Sequence, residues 1–233
     1  MPRNASDVRV GGAVPLEIAF PECTSAPPGS RKPRARIVLG EVAFDSEAIS
    51  LPVAAARLLG SRLSGGEVSV GSRSELLYEV GRAEESTALE RVVSLCSHRD
   101  HSRHELDEKL RLDGYPEGCR TAVLDRAAEV SIIDDARFAE AFVRSKTGSG
   151  WGERRISREL GRRGIDPSGV DSLRLLSSSP EAEYERALGI VSRRRIPEKN
   201  AYAKLVRFLV ARGFSPSVSS RAVREVLSAD EGE

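Results

Sequence analysis

A four-position signature that occurs three times constrains this chain more than any other feature. Leu106, Leu110, Gly114 and Tyr115 have the same offsets as Ile156, Leu160, Gly164 and Ile165, and as Leu205, Leu209, Gly213 and Phe214. The three glycines lie 50 and 49 residues apart, and Pro116, Pro167 and Pro216 follow them two or three residues later. Two large apolar residues one turn apart mark the buried line of a short helix. Glycine suits the left-handed residue that ends such a helix, and proline suits the first turn of the next. A period of this length predicts tandem helical modules, each completing its neighbour's core by stacking.

The middle module reads most plainly. Asp134 and Asp135 suit a helix N-terminus, where carboxylates satisfy free N–H groups and oppose the macrodipole. Phe138, Ala141 and Phe142 follow at helical spacing, and Gly148-Ser149-Gly150 breaks the helix. The next helix, 152 to 163, buries Ile156 and Leu160 and leaves five arginines for its other faces. Asp166 and Pro167 fit the N-cap and first position of a third helix. In the first module, Thr87 with Glu90 and Ser102 with Glu105 fit capping boxes that open two helices. Leu89, Val92, Val93 and Cys96 form the stripe of the first, and Pro116 starts a third with Val123 and Leu124 inward. The third module buries Tyr184, Leu188 and Val191, loops through 193–200, and ends in a helix with Val218, Ala222 and Val226 inward.

The expected fold is therefore mainly α, as tandem three-helix repeats over 87–133, 134–180 and 181–228. A small α+β module is expected at 35–86. It would hold strands within 36–44 and 48–53, a helix from Pro52 to Leu59 and a short one over 76–80. So small a module has little core of its own and should lean on the helices that follow. Residues 1–34, rich in Pro, Gly, Ser and Arg, are expected to be a disordered tail, with Leu16–Phe20 as a weak strand. Residues 229–233 read as a solvated acidic tail.

The net charge of +1 says nothing about partners, but its distribution does. Residues 88–133 hold 7 Lys/Arg against 9 Asp/Glu, 134–180 hold 9 against 7, and 181–228 hold 10 against 5. A basic stripe attracts phosphate backbones or acidic protein grooves. The candidate contacts are Arg144, Lys146, Arg154, Arg155, Arg158, Arg162 and Arg163 in the second repeat. In the third they are Arg193, Arg194, Arg195, Lys199, Lys204 and Arg207.

Other chemistries find little support. No apolar run approaches the ~18 residues needed to cross a bilayer, and the N-terminus lacks a signal pattern. Cys23, Cys96 and Cys119, an odd and sparse set, read as reduced cytoplasmic thiols. His98, His101 and His104 lie near Cys96, but Cys96 belongs to a helix stripe and Ser102 opens a helix between the histidines. A polar loop is expected there, and no metal. Asp134-Asp135 is explained by capping without Mg²⁺. There is no Gly-rich phosphate loop, nucleophile elbow or His-Glu helix motif, so neither cofactor nor catalysis is expected. Trp151 is expected to pack its loop against a neighbouring helix rather than to serve as a base-stacking platform.

Four segments, HSRHELDEKLRLDGY (101–115), SIIDDARFAEAFVRSK (131–146), GERRISRELGRRGI (152–165) and FLVARGF (208–214), resemble in this order and spacing the RecX family of bacterial recombination regulators. LGEVAF (39–44) and the linker to Ala88 resemble the small N-terminal module of longer members. The resemblance spans roughly 36–226 and departs from the family pattern in residues 1–34, in the loop at 143–152 and in the segment 173–180. It implies an elongated, curved array of three-helix repeats and a cytoplasmic, monomeric, non-enzymatic modulator of the RecA recombinase. Such a protein would bind the RecA–single-stranded-DNA filament along its groove and damp ATP hydrolysis, strand exchange and co-protease activity, so tuning recombination and the SOS response. It carries over no residue set, so the basic candidates rest on charge. The alternative is a helical-repeat module that binds DNA directly. The helix ending at Gly164 offers Arg and Glu but no Asn or Gln, so such binding would be weak, salt-sensitive and sequence-independent.

Overall fold

The computed structural model describes residues 8–10, 16–39 and 48–230. The chain divides into two compact units, Met1–Ile133 and Asp134–Glu233. The described residues are mainly helical, with a small antiparallel sheet near the N-terminus.

In the first unit, β1 (Val8–Val10), β2 (Leu16–Ala19), β3 (Arg34–Leu39) and β4 (Ile49–Pro52) form an antiparallel sheet in chain order. The alternation of β3 turns Ala35 and Ile37 inward and leaves Arg34 and Arg36 exposed. Ile37 pairs with Ile18 on one side and Ile49 on the other, and Ala35 pairs with Leu51. Helix α1 (Val53–Ser64) packs Ala55, Ala56, Leu59 and Leu63 into the same core. Helix α2 (Arg73–Cys96) then runs for 24 residues, about 36 Å. Its first half adds Leu76, Val80 and Ala83 to the sheet's core. Its second half adds Ala88 and Val92 to a core shared with α3 (Arg103–Asp113) and α4 (Glu117–Glu129). One rod thus belongs to two cores, and the small module does lean on the first repeat. The Lys32 backbone N–H donates to the Leu112 carbonyl (2.8 Å), and Asp113 pairs with both Lys32 (2.6 Å) and Arg91 (2.9 Å).

Three expectations need correction here. The short helix at 76–80 and the helix opening at Thr87 are one helix, capped by Ser72, whose side chain accepts from the Glu75 N–H. Thr87 lies inside it and donates back to the Ala83 carbonyl at 2.8 Å, a mid-helix role for a residue type that otherwise caps. Residues 8–10 and 16–34 are not a disordered tail. Leu16 and Ile18 are buried because β3 offers them hydrogen bonds and an apolar face, which composition alone does not reveal. Third, the last helix extends to Asp230, past the start of the expected acidic tail. Residues 1–7, 11–15, 40–47 and 231–233, including Gly40 and most of LGEVAF, lie outside the described residues.

Glu84, 6% exposed in the middle of α2, sits where burial pushes its carboxyl up to about 7, with the Arg34 guanidinium opposing the shift. The folded state holds this proton above the ordinary carboxylate range. Stability from the neutral form is complete below about pH 4.5 and is lost as pH rises towards 7. Glu84→Gln should flatten this slope and gain about 1 kcal/mol at pH 8, after discounting for solvent screening. Urea denaturation at pH 5 and pH 8 measures it, and an unchanged pH slope would remove Glu84 as its source.

The second unit comprises α5 (Asp135–Gly148), α6 (Glu153–Gly161), a 3-10 turn (Pro167–Gly169), α7 (Asp171–Ser177), α8 (Pro180–Val191), α9 (Ala201–Ala211) and α10 (Pro216–Asp230). The Asp134 carboxylate accepts from the Arg137 N–H at 2.8 Å, as its place before α5 predicts. The buried line of α5 is Phe138, Ala139 and Val143, rotated from the expected one. Phe142 is left half-buried on the α6 side. The third helix of this repeat does not start at Pro167. Asp166 accepts from the Ser168 N–H, one 3-10 turn follows, and α7 begins at Asp171.

Across both units the signature does the same local work. Its six apolar helix positions are at most 1% exposed. Gly114, Gly164 and Gly213 have φ of +95°, +74° and +95°. Tyr115, Ile165 and Phe214 each donate back to the carbonyl five residues earlier, Leu110, Leu160 and Leu209, at 3.1, 3.1 and 3.2 Å. This is the Schellman closure, which glycine permits without a Cβ penalty.

Candidate functional site: the basic face of the second unit

All thirteen sequence-predicted contact residues lie in the second unit, and the structure sorts them into two kinds. Some are already engaged. Arg162 and Arg163 both pair with Glu159, at 2.7 and 2.8 Å, and the Arg163 hydrogen bond leads in holding that carboxyl below its usual range. Arg163 also lies over the Phe142 ring, 4.8 Å from its centroid. Arg155 stacks on Trp151 at 3.7 Å, with Lys146 5.1 Å from the same ring and Phe142 edge-on at 6.5 Å. Cations already lie on Trp151, which packs into its own repeat's core. Arg194 lies 4.0 Å over Phe208, and Arg212 lies 4.7 Å from the same ring.

The others are free. Among the described residues, Arg154, Arg158, Arg193, Arg195, Lys204 and Arg207 are exposed and form no ion pair. Exposed cations without carboxylates keep their attraction for an external anion, whereas Arg162 and Arg163 have spent part of theirs on Glu159. Arg144 and Lys199 are also exposed, with Lys199 in the loop before α9.

Two features of this face were not read from the sequence. The first is how α6 begins. Its N-cap is Gly152, which has no side chain to cap with. The cap comes instead from the third repeat. The Gly152 N–H donates to the Arg212 carbonyl (2.8 Å) and the Arg154 N–H to the Gly213 carbonyl (3.2 Å). Arg212 in turn donates from Nη1 to the carbonyls of Ser149 and Gly150, both at 3.3 Å. The chains approach so closely that a Cβ on Gly152 would overlap the Gly213 carbonyl, and a Cβ on Gly213 would lie 2.5 Å from the Arg155 N and Cβ. The C-terminal, electronegative end of α9 therefore meets the electropositive start of α6. A glycine where Ser, Thr or Asp is usual was the only local signal. Its partner lies about sixty residues away.

The second is a charge inversion that the repeat alignment already contained. Glu105, Glu108 and Asp113 of the first repeat stand where the second has Arg155, Arg158 and Arg163, and where the third has Lys204, Arg207 and Arg212. The first-repeat acids are satisfied within their own unit. Glu105 is met by Arg99 (3.1 Å) and His101 (3.0 Å), Glu108 by Arg111 (2.8 Å), and Asp113 by Lys32 and Arg91.

His101 is buried, and desolvation, with Arg99 nearby, holds its pKa below the usual value. Among the described residues, no group of three or more His, Cys, Asp or Glu is placed to hold a metal ion. No described helix is long and apolar enough to cross a membrane.

Three-helix modules, the second and third of them carrying exposed cations, define a helical-repeat protein. Residues 88–126 match the family model of the RecX first three-helix domain, and 134–172 that of the second. The regulatory protein RecX of Pseudomonas entomophila is 36% identical over 136 residues, covering 56% of this chain and 85% of that one. That of Mycolicibacterium smegmatis is 35% identical over 148 residues, covering 59% and 78%. The crystal structure of RecX from Lactobacillus salivarius superposes with a TM-score of 0.51 at 20% identity, covering 61% of this chain and 96% of that one. A second crystal structure, of a regulatory protein RecX, does so with 0.55 at 24% identity, covering 81% and 94%. The chain belongs to the RecX family of regulatory proteins.

Proposed function

We propose that this chain regulates the RecA recombinase by occupying the RecA–single-stranded-DNA filament, and that it lowers ATP hydrolysis, strand exchange and co-protease activity there. Recombination and the SOS response would be tuned accordingly. The observation that carries this reading is membership of a regulatory family together with a face of unpaired cations on α6 and α9. The chain acts by binding, as a cytoplasmic monomer, and no bond-making step is assigned to it. A filament of phosphates and acidic protein surface is a target that such a face attracts.

RecA's single-stranded-DNA-dependent ATPase, titrated with the full chain, tests this. The wild type should inhibit well below one copy per RecA. Arg154→Glu with Arg158→Glu, with the helical circular-dichroism signal intact, should require about tenfold more protein, equivalent to about 1.4 kcal/mol. Inhibition unchanged by that pair would take α6 out of the interface. No inhibition by the wild type at any ratio would sink the reading.

A further inference from the structure

We infer that a cleft in the first unit, walled by the start of α1, the middle of α2 and the turn after α3, binds a small phosphomonoester. The phosphate would lie on clamped cations and its organic body on an apolar wall. Every lining residue belongs to the first unit, so the inference rests neither on the basic face of the second nor on RecA.

The cleft has a volume of about 600 Å³, within the range of about 300–1,000 Å³ that small-molecule sites occupy. Pro33, Pro52, Val53 and Leu58 supply its apolar wall. Val53 and Leu58 also pack against the sheet's core, which holds that wall from behind. Tyr115, 5% exposed, lines the cleft too, and its hydroxyl is hydrogen-bonded to Thr87. Thr87 donates its own proton to the Ala83 carbonyl, so its oxygen accepts from Tyr115. The other repeats hold Ile165 and Phe214 at this signature position. The polar lining therefore belongs to the first repeat and is no by-product of the signature.

The charged groups define the head of the ligand. Asp113, its side chain 11% exposed, accepts from the Lys32 ammonium at 2.6 Å and from Arg91 Nε at 2.9 Å. One carboxylate thus clamps two cations from distant segments and is itself spent. Arg91 keeps both Nη groups and Lys32 its other N–H donors, without further side-chain partners among the described residues. Arg57 is exposed in the same cleft and forms no ion pair among the described residues. Three cations against Asp113 leave two positive charges, the match for the roughly −1.5 to −2 of a phosphomonoester near pH 7. Cations already clamped lose little freedom on binding. The wall adds to the attraction, since Val53 and Ala54 open α1 with no side-chain cap and no acid in its first turn. Glu90, the remaining charged lining residue, is exposed and unpaired among the described residues, and its carboxylate suits a hydroxyl on the organic body.

The test is isothermal titration calorimetry of the full chain with phenyl phosphate in phosphate-free buffer. One molecule should bind per chain with Kd below about 1 mM, at least about tenfold more tightly than inorganic phosphate or phenol. Ala54→Glu puts a carboxylate into the cleft from the second residue of α1, where acids favour the helix. With the circular-dichroism signal intact, it should weaken binding at least about tenfold. Arg57→Ala should weaken binding about fivefold, and Arg126→Glu, on α4 outside the cleft, less than about twofold. Displacement of phenyl phosphate by AMP places the ligand among nucleotides, and displacement by octyl phosphate among phosphorylated aliphatic compounds. Either supports the site, and displacement by neither overturns it. Absence of phenyl phosphate binding at about 1 mM, or equal affinity for inorganic phosphate, overturns it as well. So does unchanged binding in both Ala54→Glu and Arg57→Ala. None of these outcomes touches the RecA reading, which stands or falls by its own titration.

Discussion

Gly152→Ala should destabilise the second unit by about 3 kcal/mol. The added methyl meets backbone, not a movable side chain. Relief requires parting α6 from the α9 turn, which breaks two interrepeat hydrogen bonds worth about 1 kcal/mol each and adds overpacking strain of about 1–3 kcal/mol. Trp151, the sole tryptophan, stands beside Gly152 and makes its emission a direct reporter of urea unfolding. The control is Gly161→Ala, where the new methyl meets nothing and helix propensity favours alanine by up to about 1 kcal/mol. A Gly152→Ala midpoint equal to that of Gly161→Ala would show that the junction yields without loss.

Leu160→Ala should cost about 2–5 kcal/mol, the range for opening a cavity at a fully buried leucine. Leu160 is 0% exposed in the core it shares with Ile156, Ala139 and Val143, and its carbonyl also receives the Ile165 N–H that closes the turn. A repeat with so few apolar residues has little else to fill the gap. Leu175→Ala, on the same unit but 71% exposed, should stay within about 0.5 kcal/mol. Similar losses for both would mean that the signature leucines do not carry the core. The same denaturation experiment settles it.

The arginines show why a site can be half legible. Arg154, Arg155, Arg158, Arg162 and Arg163 are chemically alike in the sequence and were read as one basic face. In the folded unit Arg155 is stacked on Trp151, and Arg162 and Arg163 share Glu159, so of the five only Arg154 and Arg158 are both exposed and without a carboxylate or ring partner among the described residues. Glu159 is only three or four residues from Arg162 and Arg163, and that pairing was within reach of helical spacing. Phe208 beneath Arg194, within one repeat, and the α9 turn beneath Gly152, between two, were not, since both are set by tertiary packing. The inverted charges at 108, 158 and 207 needed only the repeat alignment carried to positions outside the core.

By itself the sequence determined the three buried pairs, the left-handed glycines that close each middle helix, the cap at Asp134, and the polarity of charge along the chain. Each depends on groups within about five residues, where backbone geometry and side-chain spacing leave few alternatives. Tertiary structure decided the rest: that residues 16–19 join a sheet, that α2 runs unbroken through Thr87, and that α6 is capped by a turn sixty residues away. In each case a weak or ambiguous local preference was settled by hydrogen bonds and apolar surface brought by a distant segment. A segment's local sequence cannot specify the partner that completes it.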